Sequence, residues 1–219
     1  MKIDSDTRLQ HNVLAELEWD PSVDASQIGV AAKEGVVTLT GAVTRFADKM
    51  TAERVAKRVY SVRAVANDIS VKLPGGTERS DTDIAAAAVT ALKWDATVPD
   101  DRIKLTVRNG HLTLDGDVEW WYQKDAAEHA VRNLTGVRGV TNDIKVKART
   151  KPADIKDKIE AAFRRSAEID ARRVTVETHD GKVILHGCVR SWAEREEAQH
   201  AAAAAPGVTA VDNLISVTP

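Results

Sequence analysis

The chain has 219 residues, 29% of them charged, and its formal net charge at pH 7 is −2. Because no segment is strongly basic, the sequence lacks the electrostatic signature of a nucleic-acid-binding protein. Its single cysteine, Cys188, excludes an internal disulfide framework, and no apolar run reaches the roughly 18 residues that span a bilayer.

Three copies of one glycine-framed segment organise the chain. Residues 35–41, 110–116 and 181–187 each begin and end with glycine. The first glycine of each copy follows Glu, Asn or Asp, and Asn-Gly and Asp-Gly are strong signals for a tight β-hairpin because the turn needs positive φ angles. Each copy therefore predicts a hairpin of two strands.

The spacing of the copies predicts the domains. Gly110 follows Gly35 by 75 residues, and Gly181 follows Gly110 by 71. Such a period is too long for a solenoid repeat and suits a small domain. We therefore predict three tandem domains, at residues 1–73, 78–148 and 152–219. Leu73–Ser80 and Ala148–Pro152 are the predicted linkers.

Each unit reads as helix, strand, strand, helix, strand. Apolar residues four apart predict the first helix, which in domain one carries Leu9, Val13 and Leu17 on one face. The second helix is long enough for a crossover, so strands two and three are predicted to be parallel. The predicted fold class is α+β, with three αββαβ domains, each a three-stranded mixed sheet packed against two helices. The predicted helix caps or first-turn acids are Asp6, Asp81, Asp83 and Asp154.

Eight residues are predicted to have structural roles. The first hairpin glycines, Gly35, Gly110 and Gly181, are expected to have positive φ. The second glycines are expected on the buried strand face, under a helix that crosses too closely for a side chain; they are Gly41, Gly116 and Gly187. Trp121 and Trp192, which match Phe46, are expected to be core or helix-anchoring residues.

These units resemble the BON domain (bacterial OsmY and nodulation). The third copy carries the resemblance best, with Gly-x-Val-x-Leu-x-Gly-x-Val at Gly181–Val189, an aromatic helix start at Ser191–Glu194, and Gly-Val-x-x-Val-x-Asn at Gly207–Asn213. The resemblance implies the αββαβ fold, a transport-associated or osmotic-stress role at bacterial envelopes, and phospholipid binding. Many BON proteins have two domains and are secreted to the periplasm, whereas this chain has three. Ser61 also replaces the glycine found at Gly136 and Gly207.

Two motifs suggest sharper chemistry. Gly136–Gly139 spells the G-x-x-G of KH-type RNA clamps, but its position between a helix and a strand predicts a structural turn. His186 and Cys188 lie two apart on one strand, where the sister residues of the other copies predict a solvent-exposed face rather than a catalytic or metal site. No cofactor motif, metal-ligand set or nucleophile elbow is present, so the sequence predicts a non-enzymatic protein.

Three consecutive aromatic residues, Trp120, Trp121 and Tyr122, open the second helix of domain two. Residues that advance by about 100° per position cannot all face one core, so Trp120 or Tyr122 is expected near solvent. Trp120 replaces Arg45 and a serine in the sister domains. Trp120, Tyr122 and Lys124 are therefore the predicted contact site for lipid or a protein partner. Packing against a neighbouring domain is the alternative.

Two functional classes remain open from the sequence. The chain is either a peripheral binding module that contacts phospholipid head groups, or a small apolar ligand, through domain two, or a structural adaptor whose tandem domains hold protein partners and bind no lipid. Neither class involves nucleic acid, and the sequence leaves the oligomeric state undetermined. The charged first residues lack the apolar core of a signal peptide, which predicts a cytoplasmic protein as written, or a periplasmic one if a leader has been removed.

Overall fold

The computed structural model describes residues 2–75, 79–148, 154–166 and 169–218. Over these residues the chain forms three units with the predicted αββαβ order, which confirms the α+β fold class. The predicted linkers lie partly outside the described residues, at 76–78 and 149–152. The domain boundaries therefore stay predictions.

The helices and strands of the three units follow one pattern. Domain one consists of α1 (Lys2–Trp19), β1 (Ile28–Lys33), β2 (Val36–Val43), α2 (Phe46–Arg58), β3 (Ala64–Asn67) and β4 (Ser70–Val71). Domain two consists of α3 (Asp81–Trp94), β5 (Ile103–Arg108), β6 (His111–Val118), α4 (Trp121–Arg132), β7 (Gly139–Asn142) and β8 (Lys145–Val146). Domain three consists of α5 (Ile155–Arg165), β9 (Val174–His179), β10 (Lys182–Val189), α6 (Trp192–Ala203) and β11 (Ala210–Val217).

The hairpin's second strand is the middle strand of every sheet. In domain one, β1 pairs with β2 antiparallel, while β3 and β4 pair with β2 in parallel, as predicted. In domains one and two the third strand is interrupted into two short segments, whereas β11 pairs with β10 without a break. The crossover through the second helix produces the parallel pairing.

Each core lies between the sheet and its two helices. In domain two, Ile84, Ala88 and Leu92 of α3 pack against Leu112 and Leu114 of β6, and all five are buried. Equivalent stripes fill the other two cores. Fully burying one such leucine or isoleucine contributes about 1.5–3 kcal/mol, so these stripes decide which helix face meets the sheet.

One asparagine per domain joins the third strand to the second helix. Asn142 Nδ2 donates to Lys124 O at 2.9 Å and to Glu128 Oε2 at 3.2 Å, while its Oδ1 accepts from the backbone N–H of Ile144. Asn67 and Asn213 make the same three bonds in their own domains. The repeated Val-x-Asn pattern therefore encodes a helix-to-strand connection.

Two of the predicted capping acids bind the hairpin turns. Asp81 lies in the first turn of α3, as predicted, and its carboxylate accepts from Asn109 N at 2.8 Å and Gly110 N at 2.9 Å. Asp6 accepts from the turn residue Glu34 in the same way. Asp6 lies beyond the first turn of α1, which begins at Lys2, so its expected place as a helix cap or first-turn acid is wrong. These acids hold the hairpin against the first helix.

The hairpin glycines have the expected backbone conformation, but the second glycine of each copy needs a different explanation. Gly110 has φ +76°, as the turn requires. Gly116 has φ +135°, and a Cβ atom there would lie 2.2 Å from the backbone oxygen of Arg102, just before β5. Gly41 and Gly187 meet the equivalent backbone oxygens. The expected helix crossing is therefore wrong, because the close neighbour is the start of the adjacent strand.

One aromatic position connects the domains. Phe46 of domain one packs against the core of domain two, and Trp121 of domain two packs against the cores of domains two and three. Trp192 of domain three packs against the cores of domains three and one. The contacts thus pass from each domain to the next and return to the first.

Candidate functional site

The predicted aromatic segment lies at the start of α4. Trp120 is the N-cap residue in extended conformation, and its side chain is 38% exposed. Gln123 Oε1 accepts from the backbone N–H groups of Glu119 at 3.0 Å and Trp120 at 3.1 Å, which fixes the helix start. Tyr122 is 57% exposed. Both rings are therefore placed where an external surface could reach them.

Lys124 is already engaged within the fold. Its Nζ atom donates to Ile144 O at 2.8 Å and lies 5.6 Å from the ring centroid of Trp121. Arg195 occupies the same position in domain three and donates to Ile215 O at 2.9 Å. The cation at this position has a structural role in both domains, since it binds the third strand of its own domain. We therefore leave Lys124 out of the contact surface proposed below.

Trp121 and Trp192 are half-buried between domains rather than inside one core. The indole Nε1 of each is buried and has no hydrogen-bond acceptor among the described residues. Arg195 Cζ lies 4.9 Å and Lys57 Nζ 5.3 Å from the ring centroid of Trp192. Both tryptophans therefore join domains through packing, and Lys57 adds a cation–π contact between domains one and three.

The outer face of α3 is an apolar surface that the sequence reading missed. Trp94, at the end of this helix, is 83% exposed, and Val89 is also exposed. A groove of about 640 Å³ runs along the helix, lined by Ala86, Ala87, Thr90, Ala91, Trp94 and Leu134. One feature of the sequence could have predicted this surface. No charged residue lies from Ile84 to Leu92, which is unusual for a helix on the outside of a domain.

Domain one provides a natural comparison for this surface. Trp19 occupies the position equivalent to Trp94 at the end of α1, and it is 82% exposed. The exposed side of α1, however, carries Arg8, His11 and Glu18. Both helices thus end in an exposed tryptophan. They differ in that the neighbouring helix face is charged in α1 and uncharged in α3.

The apolar end of α3 and the aromatic start of α4 lie at the same end of domain two. Asp81 holds the start of α3 at the β5–β6 turn, and only residues 95–102 join Trp94 to the opposite end of β5. Strand β6 runs from the same turn to Val118, immediately before Trp120. Trp94 and Trp120 therefore both lie at the end that is remote from the hairpin.

The His186 and Cys188 pair lies on β10. His186 Nε2 is 3.9 Å from Glu177 Oε2, and Arg173 Nη2 donates to Cys188 Sγ at 3.8 Å. Hydrogen bonds with Thr218 and Ser216 lower the pKa of the Cys188 thiol. In the described part of the chain, no group of three or more His, Cys, Asp or Glu residues could hold a metal ion. Nor does any described helix have the length and apolar character needed to cross a membrane.

Comparison with known proteins identifies the class of these units. The BON domain matches residues 5–72, 80–148 and 152–219, so the chain belongs to the BON domain family. It is also similar to the Osmotically-inducible protein Y of Escherichia coli (strain K12). The two are 30% identical over 146 residues, which cover 65% of this chain and 73% of that protein.

Two solved structures of CdsD, a structural protein of the Type III secretion system of Chlamydia trachomatis, are similar at a lower level. The first is 15% identical and covers 97% of this chain and 93% of its own, with a TM-score of 0.28. The second, a C-terminal domain, is 15% identical and covers 96% and 98%, with a TM-score of 0.27. TM-scores this low define no shared architecture.

Proposed function

We propose that this protein is a non-catalytic BON-family binding protein of the osmotic-stress response that attaches peripherally to phospholipid membranes. The stress role rests on the similarity to the Osmotically-inducible protein Y. The attachment rests on one observation, the outer face of α3, which carries no charge from Ile84 to Leu92 and lies next to the exposed Trp94. Trp120 and Tyr122, at the same end of domain two, extend this contact surface.

The chemistry of this surface suits the boundary between lipid head groups and acyl chains. An indole has an apolar body and one polar N–H group, so tryptophan is favoured at that boundary. Lys93 precedes Trp94 and can keep its ammonium among the head groups while its alkyl stem lies along the apolar face. The small side chains of the groove allow close approach of an acyl chain.

The expected binding is weak and depends little on lipid charge. Burying one large apolar side chain contributes roughly 1.5–3 kcal/mol, and a single anchor of this kind gives only marginal membrane binding. The net charge of −2 gives the whole chain no attraction to anionic lipid. Apolar contact through domain two therefore dominates the proposed attachment.

Liposome flotation tests this proposal with vesicles of phosphatidylcholine alone and of phosphatidylcholine mixed with phosphatidylglycerol. Wild type should float with both, and Trp94→Ala should lower the partition coefficient about tenfold or more. Trp19→Ala is the matched control, because it removes an equally exposed tryptophan from a charged helix face, and it should have a much smaller effect. Equal flotation of Trp94→Ala and wild type would refute the surface and favour the adaptor function with protein partners.

A further inference from the structure

A separate cleft lies between domains one and three. Its volume is about 850 Å³, within the range of small-ligand sites. The sheet of domain one forms one wall, through residues of β1, β2 and β3. The start of α6 and the end of β11 form the other wall, through Trp192, Arg195 and Ile215–Val217. The cleft therefore exists only while the two domains stay together.

The lining combines small apolar residues with an excess of cations. Ala31, Ala32, Val36 and Ala64 contribute short apolar side chains along domain one. Lys33, Arg63 and Arg195 contribute three positive charges, against the single carboxylate of Glu34. This pattern favours a ligand with an apolar body and a negative group.

Trp192 contributes its aromatic ring to this lining. Its ring is contacted by Arg195 and Lys57, and its buried Nε1–H has no acceptor among the described residues. Because this nitrogen is enclosed by protein, Trp192 offers the cleft its ring and not a hydrogen bond. Arg195 is held by bonds from Nε to Ile215 O and from Nη2 to Asn213 O, which place its cation at the cleft before any ligand arrives.

We propose that this cleft binds a small amphipathic anion, a ring or short chain that carries a carboxylate, sulfonate or phosphate group. Arg63 and Lys33 attract the negative group at the domain-one side, and the alanine-lined wall contacts the apolar body. Since the site requires domains one and three together, ligand binding also stabilises their contact. The proposal is independent of the membrane surface on α3, which lies on domain two.

The test uses the full chain and the fluorescent dye anilinonaphthalene sulfonate, an aromatic sulfonate. We expect saturable binding of one dye per chain, and the double change Lys33→Ala with Arg63→Ala should weaken it about fivefold or more. The control is Arg108→Ala with Arg138→Ala, which removes the sister charges from domain two and should change the affinity less than about twofold. Trp94→Ala should also leave dye binding unchanged, which separates this site from the membrane surface.

Competition supplies a second measurement that needs no variant. Octanoate should displace the dye at a much lower concentration than octanol, which has the same chain length and no charge. Equal displacement by the two would overturn the anion requirement. Absence of saturable dye binding, or equal weakening by the two double variants, would overturn the site itself. Thermal melts of both double variants confirm that the compared proteins are folded.

Discussion

Lys57 Nζ of domain one lies 5.3 Å from the ring centroid of Trp192 in domain three. The same ammonium lies 2.9 Å from Glu53 Oε1 and 3.5 Å from Glu196 Oε1, so it also pairs with one carboxylate of each domain. Trp192 packs against both hydrophobic cores at this point. The first and last domains are therefore in direct contact, although they are farthest apart in the sequence.

Trp192→Ala should loosen this contact. We expect a loss of roughly 2–3 kcal/mol in the free energy of unfolding, less than the 3–5 typical of a fully buried tryptophan, because Trp192 is half-buried. Lys57→Met keeps the alkyl stem and removes only the charge, so it should cost less than about 1 kcal/mol. Denaturant titration followed by circular dichroism measures both changes. A wild-type midpoint for Trp192→Ala would contradict the interdomain role.

The two neighbouring tryptophans at the start of α4 should contribute very differently to stability. Trp121→Ala should lower the unfolding free energy by roughly 2–3 kcal/mol, because Trp121 contacts the cores of two domains. Trp120→Ala should stay within about 0.5 kcal/mol of wild type, as expected for an exposed side chain. Thermal melts of the two variants provide the comparison. Early melting of Trp120→Ala would instead assign Trp120 to packing between domains.

Ser61→Gly should stabilise domain one. Ser61 has φ +71° where the sister domains have Gly136 at +97° and Gly207 at +92°. Left-handed backbone costs an L-residue roughly 1–2 kcal/mol, while glycine raises the entropy of the unfolded chain by about 0.4–1 kcal/mol. The net gain is therefore about 0.5–1 kcal/mol, measurable as a higher Tm. The reverse change, Gly136→Ser, should destabilise domain two, and a neutral result for both variants would disprove the strain.

Gly116→Ala should be strongly destabilising. Its Cβ would lie 2.2 Å from the Arg102 oxygen, and both this clash and φ +135° oppose a side chain. We expect a loss of more than about 2 kcal/mol, since strain and displaced backbone act together. Gly75→Ala is the control, because no atom of the described residues lies within 4 Å of a Cβ atom there and its effect should be near zero. Equal denaturation midpoints for the two variants would contradict the close approach of the strands.

Glu53 should make the stability of domain one dependent on pH. Burial alone raises the pKa of Glu53, but hydrogen bonds from Lys57 and Asn67 outweigh it and hold the pKa below its ordinary value. A lowered folded-state pKa stabilises the protein above the unfolded-state pKa, and this contribution is lost as the pH falls through the folded value. Glu53→Gln should therefore cost less than about 1 kcal/mol near neutral pH and progressively less below about pH 4.

Domain three already shows how a glutamine is accommodated at this position. Gln199 accepts a hydrogen bond from Asn213 at 3.1 Å, at the position equivalent to Glu53. Glutamine at position 53 should therefore keep the bond from Asn67 and lose only the ion pair with Lys57. Unfolding titrations at several pH values measure the difference. If the difference in unfolding free energy between wild type and Glu53→Gln grew as the pH fell, the carboxylate would not act through its ionised form.

Local patterns in the sequence determined the architecture of each domain. The glycine pairs predicted the hairpins, the apolar stripes predicted the helices, and the length of the second helix predicted the parallel strand pairing. All of these depend on residues close together in the chain, where backbone conformation and periodicity limit the alternatives. The BON resemblance followed from the same local motifs.

Only the tertiary structure decided the roles that depend on distant neighbours. Gly116 sits against the backbone of Arg102 rather than under a helix, because the approach of two strands depends on how the sheet pairs. Lys124 binds Ile144 O, which no local spacing reveals. Trp192 contacts domain one because domain packing returns the third unit to the first. The apolar face beside Trp94 was visible as a charge-free run, but its exposure depends on which helix side the core of domain two covers.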